Sequence, residues 1–240
     1  MSKSTATLPD WERVLIAASR LQSILPDAVL VGGTASAVHA HHRVSQDADH
    51  VLTDLISRFD EVLAQLESVA GWKTARVRRP VLILGSLDGI ETGIRQLIRG
   101  EPLETCVVER HGARITLPTA AEILRIKAVL ILKRNATRDY IDFAALAAAL
   151  GTEAASDALG TFDDLYPQEN GESPLQQLLA QITNAQPFDL SETDLTEYKH
   201  LDPRWHDWAG IQAVCDDLAG ELFDRLDGFE PTPEPGGFQP

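Results

Sequence analysis

The feature that most constrains this chain is a glycine pair that directly follows a short apolar run. Residues 28–31 (AVLV) are aliphatic and partly β-branched, which predicts a buried strand. Gly32 and Gly33 end that strand, and the small residues after them predict the first turns of a helix. Because glycine has no Cβ, the backbone can approach a ligand closely at this point. Thr34 can cap the helix, whose free N–H groups would suit a phosphate.

Two aspartates, Asp47 and Asp49, lie 14 and 16 positions after Gly33. Residues two apart on a strand point to the same face, so a strand here brings both carboxylates together. Neighbouring carboxylates repel each other, and a divalent metal ion is the usual solution. A glycine pair alone is often a plain turn, and a lone D-x-D is often a solvated strand edge. Their combination in this order is more specific.

The composition of the chain excludes some classes of protein. Its 240 residues can bury a sizeable core in one large or two small domains. No apolar run approaches the roughly 20 residues that span a bilayer, and the N-terminus lacks the apolar core of a signal peptide. Cys106 and Cys215 are far apart in apolar segments, which predicts buried free thiols rather than a disulfide or a metal pair. We therefore expect a cytoplasmic protein without membrane association.

The charge of the chain is unevenly distributed. The net charge is −15, which by itself argues against binding to nucleic acid. However, residues 73–138 hold 13 basic and six acidic side chains, a local net charge of +7. An acidic protein with one basic segment can still offer a phosphate-binding patch, although a compositional accident is the alternative.

The order of the predicted elements indicates an α/β or α+β fold. Helices alternate with strands as far as residue 70, and short strand-like runs follow over 73–117. Turn signals at Asp88-Gly89 and His111-Gly112 predict hairpins. Beyond Pro118 the pattern is helical. We predict a mixed sheet flanked by helices, followed by a helical C-terminal part.

Three signals predict helix ends in the C-terminal part. Thr119 and Glu122 have the spacing of a capping box at the start of the first helix. Asn135 is expected to end that helix, and Thr137 to cap the next.

Lys127 occupies an unexpected position in the first of these helices. Apolar residues surround it on nearly every side, so the helix is expected to be buried. Burying an ammonium group is costly unless it is paired or faces a cleft. One interpretation is a lysine whose amine reaches solvent along its apolar stem. The other is a point charge held at a nucleotide phosphate.

Two acidic residues follow Lys127 near the start of the second helix. Asp139 lies in its first turn, where a carboxylate stabilises the helix dipole. Asp142 comes three residues later, and its simplest roles are a cap or a partner of Arg138.

Four segments make the chain similar to the AbiEii-type nucleotidyltransferase toxins, which include the MenT toxins and belong to the polymerase-β-like superfamily. The segments are GGTASAVHAHHRVSQDADHVL, IETGIRQLIRGEPLET, LPTAAEILRIKAVLILKRNATRDYIDFAALA and LTEYKHLDPRWHDW. The similarity covers residues 29–150 well and weakens towards 208. It implies a nucleotidyltransferase core over 1–117 and a mainly helical part over 118–228 that completes the active site. The Pro- and Gly-rich residues 229–240 are expected to be disordered.

The resemblance also implies roles for individual residues. The implied catalytic residues are Asp47, Asp49, Lys127 and Asp139, with Mg²⁺ or Mn²⁺ bound by Asp47 and Asp49. The implied nucleotide-binding residues are Gly32, Gly33, Thr34, Arg43 and Lys127. Many superfamily members place a third carboxylate on a later strand. Glu91 is the nearest candidate and Asp88 the second, although an ordinary exposed strand residue explains Glu91 equally well. The alternative that the resemblance implies is that Asp139 takes the place of this third carboxylate.

The implied reaction transfers a nucleoside monophosphate from an NTP to RNA, particularly the tRNA 3′ end. A separately encoded antitoxin is the expected partner. Five arginines are candidates to hold RNA phosphates, with a solvated basic face as the alternative: Arg76, Arg78, Arg79, Arg95 and Arg99. The competing hypotheses are a protein hydroxyl or small antibiotic as acceptor, and a non-catalytic nucleotide-binding module.

Overall fold

The computed structural model describes residues 10–227 and contains a five-stranded mixed sheet. Its strands are β1 (Val29–Leu30), β2 (Asp47–Leu52), β3 (Trp72–Arg78), β4 (Leu82–Leu87) and β5 (Ile90–Gln96). The strand order is β1-β2-β5-β4-β3, with β2 and β5 parallel and the other neighbours antiparallel. Two further strands, β6 (Thr105–Arg110) and β7 (Ala113–Pro118), form a separate hairpin. The predicted mixed sheet is confirmed.

Helices flank the sheet and make up the C-terminal part. The N-terminal helices are α1 (Asp10–Ile24), α2 (Gly32–Ala40) and α3 (Leu55–Glu67). The C-terminal helices are α4 (Ala120–Arg134), α5 (Thr137–Leu150), α6 (Thr152–Leu159), α7 (Phe162–Leu165), α8 (Pro174–Thr183) and α9 (Trp208–Asp227). Single 3₁₀ turns lie at Leu190–Glu192 and Pro203–Trp205.

Two hydrophobic clusters hold the helices against the sheet and against one another. The smaller cluster packs α1 and α3 against the sheet through residues such as Leu21, Phe59 and Ile94. The larger cluster joins α1, α2 and β7 to the C-terminal helices, so residues on both sides of Pro118 share one core. The expected tail, 229–240, lies outside the described residues. No helix between residues 10 and 227 is long and apolar enough to cross a membrane.

The predicted turns and free thiols are confirmed. Asp88 and Gly89 have φ values of 53° and 81°, and His111 and Gly112 have 50° and 75°. Positive φ at both central positions is the geometry of the type I′ turn that connects tight hairpins. Both cysteines are free; Cys215 is buried as predicted, whereas Cys106 on β6 is only half-buried.

Two of the predicted helix caps are wrong. The residue that precedes α2 is Val31, and the Thr34 hydroxyl donates instead to the backbone oxygen of Asp47. Thr137 is the first residue of α5 rather than its cap. Its N–H and hydroxyl both donate to Oδ1 of Asp189, at 2.7 Å each. A distant carboxylate therefore caps this helix, which local sequence could not indicate.

The predicted capping box at α4 is half present. The Thr119 hydroxyl accepts the N–H of Glu122 at 3.2 Å, as expected. The Glu122 carboxylate does not return to the backbone of Thr119. It lies 2.8 Å from Arg99 and 2.9 Å from Arg125, because it is fully buried and needs cationic partners. Asn135 ends α4 in the left-handed conformation, as predicted.

Candidate active site

The sheet brings the glycine pair against the two aspartates. Strand β1 pairs with β2, and the N–H of Val31 extends this pairing by donating to the backbone oxygen of Asp49 at 2.8 Å. Gly32 follows at once with φ of 72°, and a Cβ there would stand 3.7 Å from the Cβ of Asp49. The Thr34 hydroxyl ties the first turn of α2 to β2. The helix N-terminus and the carboxylates are therefore direct neighbours.

Strand register places a third carboxylate beside the pair. Asp47 is paired with Glu91, and Asp49 with Gly93, on the parallel strands β2 and β5. Paired residues share a face of the sheet, so the exposed Glu91 lies on the face of both aspartates. Asp88, the second candidate, lies in the β4–β5 turn and pairs with Arg20. Within residues 10–227, no three acidic, histidine or cysteine side chains already form a metal-binding group.

The environment of Asp49 is partly buried and strongly charged. Burial raises the pKa of its carboxyl group, Arg95 lowers it, and the neighbouring Asp47 raises it again. Arg138 and Arg134 on the C-terminal helices also lower it. Asp49 thus faces cationic side chains from the sheet and from α4 and α5.

Lys127 is buried and ion-paired, so it does not reach solvent. Its side chain is 3% exposed, and Nζ lies 2.6 Å from Oδ2 of Asp142 and 3.4 Å from Oδ1 of Asp139. The predicted capping or pairing of Asp142 with Arg138 is wrong, since α5 turns Asp142 inward. Asp142 is the main partner of Lys127.

Asp142 is also the centre of a buried network around residues 43–47, the R-x-S-x-D segment that ends at Asp47. Its carboxylate accepts from Nε of Arg43 at 2.7 Å, from Nη2 of Arg43 at 3.0 Å and from Nε2 of His42 at 2.7 Å. Burial alone would raise the pKa of Asp142. Lys127 and Arg43, with the hydrogen bonds from His42 and Arg43, hold it well below the ordinary value. Asp142 is therefore ionised and fixes two cations.

Arg43 lies against the start of α2. Burial lowers the pKa of its guanidinium, but Asp142, Tyr198 and Asp47 together raise it by more, so the group stays charged. A Cβ on Gly33 would overlap its Nη2 atom, so only glycine leaves room for this arrangement. Nη1 of Arg43 is buried and has no hydrogen-bond partner among the described residues. It is an available donor at the helix N-terminus.

Asp139 is fully buried between two cations. Nε and Nη2 of Arg134 donate to it at 2.5 and 2.8 Å, and Lys127 approaches from the other side. The exposed Arg138 makes no ion pair within the part of the chain that the structure describes. The carboxylate of Asp139 therefore holds other side chains in place.

The structure divides the five candidate RNA-binding arginines. The strand register puts Arg76, Arg78 and Arg95 on the carboxylate face. Arg79 pairs with Asp60 of α3 and lies over the ring of Phe59, on the opposite side of the sheet.

Arg99 has structural partners instead. Its side chain is 6% exposed, pairs with Glu122 and donates to the hydroxyl of Tyr166 at 3.2 Å. It joins the segment after β5 to α4 and is unsuited to contact RNA.

Comparisons with known families agree with this fold. A family model described as the nucleotidyl transferase AbiEii toxin of type IV toxin–antitoxin systems matches residues 15–227. A putative nucleotidyltransferase from H. pylori is similar in structure, with a TM-score of 0.50 and 16% identity over 92% of this chain and 97% of that chain. At this identity the likeness shows the fold alone. The antibiotic-resistance factor ANT(2'')-Ia gives a TM-score of 0.49 at 13% identity, covering 65% of this chain and 94% of its own.

The curated relatives match over a short stretch. The heme uptake protein MmpL11 of Mycobacterium tuberculosis is 38% identical over 97 residues, which is 39% of this chain and 10% of that protein. A probable transport protein MmpL11 of Mycobacterium leprae is 32% identical over 129 residues, 53% of this chain and 12% of its own. The chain thus spans about a tenth of the length of these relatives.

Proposed function

Because the chain belongs to the AbiEii nucleotidyltransferase toxin family, we propose that it transfers a nucleoside monophosphate from an NTP to an RNA hydroxyl. The proposed acceptor is the tRNA 3′ end. In this proposal the protein acts in the cytoplasm as the toxin of a toxin–antitoxin pair, beside a separately encoded antitoxin. One observation carries the proposal: the carboxylates and three arginines that make no salt bridge among residues 10–227 share one face of the sheet, and the N-terminus of α2 adjoins Asp49.

The start of α2 fits a triphosphate. The N–H groups of Gly33 and Thr34 lie in the first turn of α2, where they have no acceptor within the helix and are available to an anion, and the missing side chain of Gly33 leaves room for the Arg43 guanidinium beside them. The unpartnered Nη1 of Arg43 is a buried donor that a phosphate oxygen would satisfy.

The charged network behind this site also favours an anion. Arg43, Lys127 and Arg134 are paired with only two carboxylates, Asp139 and Asp142, so one positive charge is left over. Lys127 supplies part of this charge and shares its partner Asp142 with Arg43. The resulting positive potential attracts the triphosphate and stabilises it once bound.

The aspartate pair fits a divalent cation. Mg²⁺ needs only one or two protein carboxylates when substrate phosphates complete its shell. Burial and Asp47 raise the pKa of Asp49 by more than Arg95, Arg138 and Arg134 lower it, so a bound cation would stabilise the ionised pair further. Asp47 and Asp49 would hold Mg²⁺ or Mn²⁺, with Glu91 beside them. When bound, the metal would neutralise charge on the transferring phosphate.

The chain's own groups account for the rest of the reaction. The acceptor hydroxyl oxygen forms a bond to the α-phosphorus, the bond to the β-phosphate oxygen breaks, and pyrophosphate leaves. The hydroxyl proton needs a base. Glu91 is the exposed carboxylate on this face and is the proposed acceptor of that proton, because Asp139 is enclosed by Arg134 and Lys127. Asp139 then acts as a positioning residue.

The charges around the site favour RNA over a cationic acceptor. Arg76, Arg78 and Arg95 extend from the carboxylates along the sheet, and Arg138 approaches Asp49 from α5. A polyanion is attracted to such a face, whereas a polycationic antibiotic is repelled. A protein hydroxyl is the remaining alternative, and the experiment below distinguishes it.

A label-transfer assay tests the proposal. The purified protein is incubated with Mg²⁺, total tRNA and each labelled NTP in turn. Asp49→Asn removes a proposed metal ligand, and Asp60→Asn on the opposite side of the sheet is the matched control. We expect label on tRNA with wild type and Asp60→Asn, and none with Asp49→Asn. Label on protein but not on RNA would mean that the acceptor is a protein hydroxyl rather than RNA. The absence of transfer with every NTP would contradict the proposal.

A further inference from the structure

Tyr198 lies at the edge of the site and has no role in the mechanism so far. The Arg43 guanidinium carbon is 5.9 Å from the centre of its ring. Burial raises the pKa of the phenol, and Arg43 and Arg138 oppose this rise while Asp142 and Asp139 add to it. Charged groups of the site therefore surround this half-buried side chain.

The backbone around Tyr198 is fixed onto the R-x-S-x-D segment. The N–H of Val44 donates to the oxygen of Lys199 at 3.1 Å, and the N–H of Asp202 donates to the oxygen of His42 at 2.7 Å. Lys199 and His200 both have positive φ, 43° and 52°. Two consecutive residues in this conformation are costly and persist where their surroundings enforce it. The position of the ring is thus determined by the neighbours of Arg43.

We propose that the ring of Tyr198 is the surface on which the sugar and base of the NTP rest. This inference depends on the proposed function above. Gly33 lies against the Arg43 guanidinium, and the Tyr198 ring adjoins the same guanidinium. With the triphosphate at Gly33 and Nη1 of Arg43, the inferred position of the nucleoside is past the guanidinium, on this ring. Aromatic rings accept any base through its π-face, so the contact contributes affinity and favours the larger purines.

The alternative is an indirect role, in which Tyr198 does not contact the nucleotide and only keeps Arg43 in place. Inorganic triphosphate separates the two, since it has the phosphates of an NTP but no nucleoside. If Tyr198 contacts the nucleoside, Tyr198→Ala weakens NTP binding and leaves the competition by inorganic triphosphate unchanged. If Tyr198 only positions Arg43, the binding of NTP and the binding of inorganic triphosphate weaken by the same factor.

The experiment measures the Kd of each Mg²⁺–NTP and of Mg²⁺–triphosphate, without RNA, for wild type and three variants. Tyr198→Phe retains the ring and should stay within about threefold of wild type, as should Phe223→Ala, an exposed aromatic of α9. Tyr198→Ala should raise the Kd for NTP on the order of tenfold, more for purines, with the triphosphate Kd unchanged. Equal losses for both ligands, or an unchanged NTP Kd, would overturn the inference.

A second readout separates this inference from the proposed function. The same variants are assayed for label transfer, where Tyr198→Ala should raise the KM for NTP with little change in kcat. Wild-type protein that binds NTP but transfers no label would contradict the proposed function and leave the Kd comparison valid. Wild-type protein that transfers label, with Tyr198→Ala unaltered in KM, would contradict only the role of Tyr198.

Discussion

Asp49 and Gly93 lie side by side on the parallel strands β2 and β5, and the carboxylate of Asp49 occupies the space above Gly93. A Cβ on Gly93 would stand 2.7 Å from Oδ1 of Asp49 and 2.7 Å from Cδ2 of Leu84. Real Cβ atoms do not approach other atoms so closely, so any larger residue forces these neighbours to move. The absence of a side chain at Gly93 therefore leaves the space that the Asp49 carboxylate occupies.

The first prediction concerns Gly93→Ala. The added methyl group should displace the Asp49 carboxylate and lower label transfer by about a hundredfold, because a shift near 1 Å at a reacting group costs about this much. Overpacking against Leu84 should also lower the free energy of unfolding by about 1–3 kcal/mol. Transfer assays and urea denaturation measure the two effects.

Gly220→Ala is the matched control for this substitution. Nothing lies within 4 Å of a Cβ at Gly220, which is inside α9. Alanine there should keep activity and raise stability by up to about 1 kcal/mol through helix propensity. A fully active Gly93→Ala protein would show that the position of the Asp49 carboxylate is not critical.

The second prediction separates Asp142 from Asp139. Asp142→Asn leaves Lys127 and Arg43 buried without their shared counter-charge, so the free energy of unfolding should fall by about 3–5 kcal/mol. Asp139→Asn should cost less, about 1–3 kcal/mol, because Lys127 keeps Asp142 and the side chain of Arg134 is 38% exposed. Chemical denaturation of both variants gives the comparison. Equal losses would mean that Lys127 does not depend mainly on Asp142.

The local features of this fold could be predicted from sequence, because they depend on neighbouring residues. The strand before Gly32, the spacing of Asp47 and Asp49, and the Asp88-Gly89 turn are such features. The two carboxylates at the start of α5, Asp139 and Asp142, could also be identified from sequence. Their order of importance could not, because it depends on which of them α5 turns towards Lys127 and Arg43.

Features that depend on strand register or distant partners could not be predicted. Gly93 has no distinguishing sequence signal, since its role arises only when β5 pairs with β2. Arg76 and Arg79 are three residues apart with the same charge, yet they lie on opposite sides of the sheet. Arg99 looked like a free cation because its partner Glu122 is 23 positions away.

The third prediction concerns the arginine face. Replacing Arg76, Arg78 and Arg95 together by alanine should weaken tRNA binding and lower the slope of log K against log salt by about one for each lost phosphate contact. NTP binding should change far less. Filter binding over a salt series measures the slope.

The control for this face is Arg79→Ala, because Arg79 lies on the opposite side of the sheet, where it pairs with Asp60. Its salt slope should equal that of wild type. A triple variant with an unchanged slope would show that RNA does not contact this face, and a lowered slope in Arg79→Ala would show that the charge effect is not local.

The fourth prediction concerns His39, which lies near the end of α2 and bonds through Nε2 to the oxygen of Pro118 at 2.7 Å. Burial lowers its pKa, the Pro118 contact raises it, and His41 and Arg110 lower it further, for a net lowering. The unfolded chain therefore gains a proton near pH 6.5 while the folded chain does not, so stability is lost as pH falls below that value. Urea denaturation from pH 8 to pH 5 should show a smaller loss for His39→Gln than for wild type. Parallel curves for the two proteins would mean that His39 titrates alike in both states.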